Sequence, residues 1–313
     1  MGTRRRALPG LLVLGLWAGV ACGGESGPPA GGAATDGAAG QASPAPDGPE
    51  GATGVVLVGH GGDTLRLAGP ARRVVSLVPS ATEALIRLGG LERLAGRTDY
   101  DTAPEVADLP SVGGGLEPNL EILRTLEPDV VVAFAGESDA RTARVLRDLA
   151  IPVLEIRPSG ISDIRTMILQ MGELIGAGDA ARDMVAGIDG TLEEIRTAVA
   201  PFPPVRMVYL LGGTPPLAAG PDTFLSQLVE VAGGQNVLRD LGSLYAPVSP
   251  EVLLDREIDA VLTTRGSRID ARLLEGRRVV ELPGDVEIPG PDVGESAWLV
   301  ARALHPELAE RGR

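Results

Sequence analysis

One cysteine, two histidines, aromatics at 3% of 313 residues and no lysine at all characterise this chain by what it lacks. With Cys22 alone, no intramolecular disulfide can form, and the fold must be held by packing. The histidines, His60 and His305, fall near the two ends of the folded part and leave little material for a His-rich metal site. No phosphate-cradling P-loop, His-Glu-x-x-His pair or nucleophile elbow occurs, so an enzyme is the minority reading. The apolar run from Leu11 to Ala21 is shorter than the about 20 residues that a membrane-spanning helix needs. All basic residues are arginine, which reads as genome composition bias, and a net charge of −14 argues against nucleic acid as a partner.

The first residues have the layout of an export signal: Arg4-Arg5-Arg6, the apolar run, then small residues before Cys22. Gly19-Val20-Ala21-Cys22 resembles the lipobox of bacterial lipoproteins, which implies cleavage after residue 21 and acylation of Cys22. Removing residues 1–21 deletes three arginines and no acid, so the mature chain is more acidic still. Residues 22–54 are rich in Gly, Pro, Ala and Ser, a composition that cannot offset its own ordering entropy. As a tether it would average roughly 30 Å end to end.

What is present is a repeat. "EPNLEILRTLEPDVVVA" begins at Glu117 and "SPEVLLDREIDAVLTT" at Ser249; aligning Glu121 with Glu251 puts Asp129 on Asp259, each followed by an apolar run. Two further blocks recur in the same order. Arg73 to Val78 reads as a buried strand before a helix through Ala84-Leu85-Ile86 to Gly89-Gly90, and Val205 to Leu211 precedes a helix to Gly233-Gly234. Ile151 to Ile156 and Arg278 to Leu282 close the two halves as strands. Short apolar strands alternating with amphipathic helices predict an α/β fold of two similar lobes with mostly parallel central sheets, each lobe large enough for a modest core of its own. Between them, Ile164, Met167, Ile168, Met171, Leu174 and Ile175 have helical spacing, restarting after Gly176-Ala177-Gly178 with Asp179 as N-cap. The expected domains are an N-terminal lobe at 55–160, a long linking helix at 161–200 and a C-terminal lobe at 201–313.

Ligands of open α/β sheets sit beyond the carboxyl ends of the strands. Those ends carry Ser80-Ala81-Thr82-Glu83, which reads as a capping box, and the loops around Phe134, Arg157, Gly213 and Arg265 to Arg268. In so aromatic-poor a chain, Tyr100, Phe134 and Tyr245 in rim loops are candidates to hold a large flat ligand. Asp99, Asp101, Glu137 and Asp285 are the acids that an enzyme would need, without an evident catalytic partner.

Arg73-Val74-Val75-Ser76-Leu77-Val78-Pro79-Ser80-Ala81-Thr82-Glu83, Thr98-Asp99-Tyr100-Asp101, Asn119-Leu120-Glu121 and Pro128-Asp129-Val130-Val131 occur in order, followed in the second half by Gly213-Thr214-Pro215-Pro216 and Val248-Ser249-Pro250-Glu251. Together they resemble the substrate-binding proteins of ABC importers for cobalamin, haem and iron-siderophores, over about residues 55 to 305. The resemblance implies two lobes joined by a long rigid helix, a metal-chelate ligand in the cleft between them, and no resident cofactor or protein-bound metal. It assigns Glu121 and Glu251 to docking on a two-fold symmetric permease, itself driven by an ATPase. It places aromatic ligand contacts at Tyr100, Phe134 and Tyr245; Arg97, Arg265 and Asp285, as charged cleft residues, are the further candidate ligand contacts. The Thr98-Asp99-Tyr100 stretch is similar to the cobalamin branch; a ferric siderophore would recruit arginines such as Arg97, Arg157, Arg265 or Arg268, and haem could use Tyr100 as an iron ligand. The protein is expected to be an exported, monomeric, membrane-anchored lipoprotein on the periplasmic or cell-surface side, touching the membrane only through its lipid. A chelate-processing enzyme and a surface lipoprotein without a small ligand are the competing classes.

Overall fold

The computed structural model describes residues 54–136 and 140–308. A hairpin of β1 (Val55–Val58) and β2 (Thr64–Leu67) leads into a first lobe of β3 (Val74–Ser76), α1 (Pro79–Arg87), β4 (Leu94–Gly96), α2 (Leu120–Thr125), β5 (Val130–Phe134), α3 (Ala140–Asp148) and β6 (Val153–Ile156). Two helices, α4 (Ile161–Ile175) and α5 (Gly178–Val199), connect it to a second lobe. That lobe runs β7 (Val205–Gly213), β8 (Pro216–Ala219), α6 (Phe224–Val231), β9 (Gly234–Asn236), β10 (Tyr245–Pro247), α7 (Pro250–Leu254), β11 (Ala260–Thr264), α8 (Ala271–Leu274), β12 (Arg278–Leu282) and α9 (Val293–Leu304).

The first sheet is parallel throughout, in the order β4-β3-β5-β6. The second has order β10-β8-β7-β11-β12 with β9 beside β7; its β8 and β10 are antiparallel additions, and the remainder is parallel. The alternation of strand faces divides the apolar residues cleanly. Val74, Val130 and Val132 face the middle of the molecule, whereas Val75 and Val131 face an outer core with Leu123 and Leu146. Met207, Ala260 and Leu262 face inward, and Val208, Leu210 and Val261 outward.

The repeated aspartate has a structural reason. Asp129 Oδ2 accepts the backbone N–H groups of Arg72 (2.7 Å) and Arg73 (2.9 Å), while the Asp129 N–H donates to the Arg73 carbonyl at 2.9 Å. Asp259 does the same to Arg206, accepting its N–H at 2.9 Å and donating to its carbonyl at 2.8 Å. Each aspartate thereby ties the entry of one strand to its neighbour and fixes the registers Val74 with Val130 and Met207 with Ala260. The guanidinium of Arg206 on Asp259 also holds that carboxyl below the usual range.

The linking helix is realised as an antiparallel pair. α4 stops at Gly176, whose φ of 77° suits glycine, and the chain reverses. Arg165 pairs with Asp189, Gly172 lies against Ala181, and Arg182 reaches Glu173, contacts that run in opposite directions along the two helices. Asp179 does not cap α5 as the sequence suggested; Ala177 occupies that position, and Asp179 pairs with Arg182 instead. The lobes also do not have only cores of their own. Ile164, Met167, Ile168, Met171 and Leu174 of α4, with Ile188, Leu192 and Ile195 of α5, join Val74 of one lobe to Met207 and Leu304 of the other in one apolar cluster.

A Cβ at Gly172 would lie 2.4 Å from the Ala181 Cβ and 3.0 Å from the Ala177 carbonyl oxygen, inside van der Waals contact. Gly172→Ala should therefore cost about 1–3 kcal/mol in chemical denaturation. An unchanged midpoint would contradict the close packing of α4 on α5.

Candidate functional site

The carboxyl ends of β3, β4 and β12 open on a pocket between the lobes. Its volume is about 400 Å³, and its walls include Glu83 and Arg87 of α1, Tyr100 and Asp101 of the loop after β4, and Asp285 and Asp292 from the second lobe. Tyr100 is 69% exposed, and the turn beneath it is tightly built. The buried Asp101 carboxylate accepts the Thr98 N–H at 2.6 Å and the Thr98 hydroxyl at 2.8 Å, and the Thr98 Oγ1 accepts the Tyr100 N–H at 3.2 Å. Ser111 donates to Asp99 at 2.5 Å, which braces the same loop from outside. Thr98-Asp99-Tyr100-Asp101 is thus a scaffold that presents one aromatic ring, with Asp101 as its cross-brace.

The other predicted residues are distributed around the rim. Tyr100 and Asp285 share the pocket; Phe134 at the end of β5 and Tyr245 at the start of β10, 37% and 38% exposed, lie outside its lining. Tyr245 is close to a second cluster in which the Tyr209 hydroxyl donates to Glu287 Oε1 at 3.4 Å; burial, then Glu287, raises the pKa of both phenols. Arg265 and Arg268 are exposed in the loop after β11. Arg97 turns its guanidinium to the loop backbone, donating to the carbonyls of Thr98 (2.9 Å) and Ala107 (3.3 Å), while its buried Nε has no protein partner. Glu137 and Cys22 lie outside the described residues.

The capping box is also corrected. Helix α1 begins at Pro79 with Val78 as N-cap and no side-chain cap, which puts Ser80 inside the helix with its hydroxyl toward Met167 Sδ at 3.6 Å. Glu83 is thereby free to turn into the pocket, where it pairs with Arg87 at 3.0 Å and meets Asp292 of the other lobe. Burial first, and then the Asp292 carboxyl, push its pKa up to about 7. Sequence reading missed this group because the local helix signal explains Glu83 without any partner in the second lobe.

Glu121 and Glu251 take matching places, each the second residue of its helix, and both are exposed. The Asn119 side chain caps α2 by accepting from the Glu121 and Ile122 N–H groups. The Ser249 hydroxyl instead bonds the Glu251 carboxylate and holds it below the usual range. A larger groove of about 560 Å³, lined by Leu67, Pro70, Arg72, Arg93 and Asp129, lies at the opposite, amino end of β3. Among the described residues no helix is long and apolar enough to cross a membrane, and no group of three or more His, Cys, Asp or Glu side chains could hold a metal ion.

Comparison with known proteins is consistent with this geometry. Residues 74–283 match the model of the periplasmic binding protein family. The vitamin B12-binding protein of Vibrio cholerae is 25% identical over 196 residues, covering 62% of this chain and 71% of the relative. The cobalamin-binding protein of Halobacterium salinarum is 31% identical over 213 residues, covering 64% of this chain and 56% of the relative. Among solved structures, the periplasmic heme-binding protein RhuT from Roseiflexus sp. RS-1, in its apo form, superposes with a TM-score of 0.66 at 22% identity, covering 76% of this chain and 99% of that one. The homologues are binding proteins of transport and not enzymes, and with residues 74–283 matched the chain belongs to the periplasmic binding protein family, the substrate-binding components of ABC importers.

Proposed function

We propose that this protein captures cobalamin between its lobes and delivers it to an ABC permease. The observation that carries the reading is Tyr100, held out over the pocket by the Asp101–Thr98 brace, where a flat chelate would find a preorganised aromatic surface. Charge supports the same choice. Glu83, Asp101, Glu105, Asp285 and Asp292 line the pocket with Arg87 as its cation, a wall that suits an uncharged, amide-bearing chelate better than a polyanionic one. The relatives named for vitamin B12 and cobalamin point the same way. The metal arrives within the ligand, so the protein needs no metal site of its own.

A haem or ferric siderophore is the second reading, favoured by the exposed Arg265 and Arg268 at the rim, which suit carboxylates or an anionic chelate shell. Under either reading Cys22 carries the lipid anchor, the protein works as a monomer outside the cytoplasm, and Glu121 and Glu251 dock on the two equivalent halves of the permease. Macrodipole stabilisation accounts for an acid in one first turn; two exposed acids at matching positions suit a symmetric partner better.

Calorimetric titration with cyanocobalamin, haem and a panel of ferric siderophores tests the ligand. Submicromolar cobalamin binding that weakens about tenfold or more in Tyr100→Ala is expected, a change of about 1.4 kcal/mol; saturable binding of haem or a siderophore alone would replace the vitamin. For docking, Glu121→Ala combined with Glu251→Ala should leave ligand affinity unchanged and abolish transport into vesicles carrying the permease. Lost ligand binding in the folded double variant would put these residues on the wrong surface.

A further inference from the structure

Two contacts cross between the lobes at corresponding places. Matching Gly89-Gly90 after α1 with Gly233-Gly234 after α6 sets Glu83 on Gln227, and the Glu-to-Asp alignment sets Gly160 before α4 on Gly290 before α9. Gln227 reaches from the second lobe to the start of α4, where its Oε1 accepts the Ile161 N–H at 2.8 Å. A Cβ on Gly160 would come within 3.0 Å of its Nε2. Glu83 reaches from the first lobe to Asp292, the residue before α9, and a Cβ on Gly290 would come within 3.5 Å of its Oε2. The two positions have the same geometry and different chemistry. One is an amide bonded to backbone; the other is a carboxyl facing a carboxyl, with Arg87 paired to both.

With both acids ionised, Glu83 and Asp292 would repel each other across the interface with one guanidinium between them. A single proton on Glu83 turns that repulsion into an O–H donated to Asp292, whose charge then belongs to Arg87. The surrounding groups favour keeping the proton: Glu295 of α9 acts on Arg87, while Asp101 and Glu105 from the first lobe and Asp285 from the second line the same pocket.

We propose that Glu83, Arg87 and Asp292 form a proton-dependent clasp that closes the cleft when Glu83 is protonated and lets the lobes part when it is ionised, with the Gln227–Ile161 contact as the permanent pivot. Burial and Asp292 raise the Glu83 pKa from an ordinary 4.5 to about 7 in the closed form. When the clasp opens, water reaches Glu83 and the ordinary value returns. The closed form therefore binds the proton more tightly: its advantage is complete below about 4.5, declines as pH rises, and is lost above about 7. Within that window the open-to-closed ratio rises by up to about tenfold per pH unit. The device takes its biological meaning from the cleft being the ligand site, but it can be measured without ligand.

Spin labels at Thr125→Cys and Asp255→Cys, exposed and corresponding positions of the two lobes, in a Cys22→Ser background report the lobe separation by electron–electron double resonance. In the ligand-free protein the distances should lengthen from pH 5 to pH 8, and Glu83→Gln should hold the short distance throughout. Asp292→Asn, which removes the anionic partner but leaves the burial of Glu83, should weaken the pH response even if Glu83→Gln does not fold. Identical distances at both pH values, or a shift that persists unchanged in the variants, would overturn the clasp. Because no ligand is added, either result leaves the identity of the chelate to its own titration.

Discussion

Burial of the apolar faces of α4 and α5 between the two sheets is the constraint on which the rest depends. Met167, Met171, Leu192 and Ile195 are essentially inaccessible to water and belong to the one apolar cluster that holds residues of both lobes, so separating the lobes at their base would expose the largest apolar cluster among the described residues. That cost excludes wide hinge opening and confines motion to the cleft side, where contacts are polar. A binding site between lobes so joined is largely preformed, and affinity need not be spent on ordering it. The Asp101–Thr98 brace extends the same preorganisation to Tyr100.

The internal repeat is the second organising fact, and it acts at two levels. The aspartates at 129 and 259 are structural, tying strand entries together, whereas the glutamates at 121 and 251 make no buried contact and stay exposed at matching helix starts. The repeat is imperfect where the lobes meet. Glu83 and Gln227 occupy equivalent places, and the change of one amide for a carboxyl gives the two inter-lobe contacts different responses to pH.

Much of this was legible in the sequence, for identifiable reasons. Strands β3, β5, β7 and β11 are short, mainly apolar runs with turn residues after them, a signal set by burial on both faces. Strands β8 and β10 were not, because Pro216–Ala219 and Tyr245–Pro247 are short edge additions defined by pairing and not by pattern. The periodicity of α4 and α5 revealed two helices and a break but not their reversal, which depends on Gly176 and on the Gly172–Ala181 approach. Tyr100 and Asp285 share one pocket because loops after strands converge there. The backbone contacts of Arg97 carry no sequence signature, and Glu83 reads as a cap because its partner Asp292 lies in the other lobe.

The central claim is that two lobes joined at their base by α4 and α5 offer a single ligand cleft at the carboxyl ends of their strands. Hydrogen exchange of the protein with and without its bound chelate tests it most directly. The account predicts new protection confined to the loop 98–105, the segment 284–292 and the neighbourhood of Tyr245, with α4 and α5 already protected and unchanged. Protection centred instead on the groove at Leu67 to Arg72, or a broad change through α4 and α5, would contradict it.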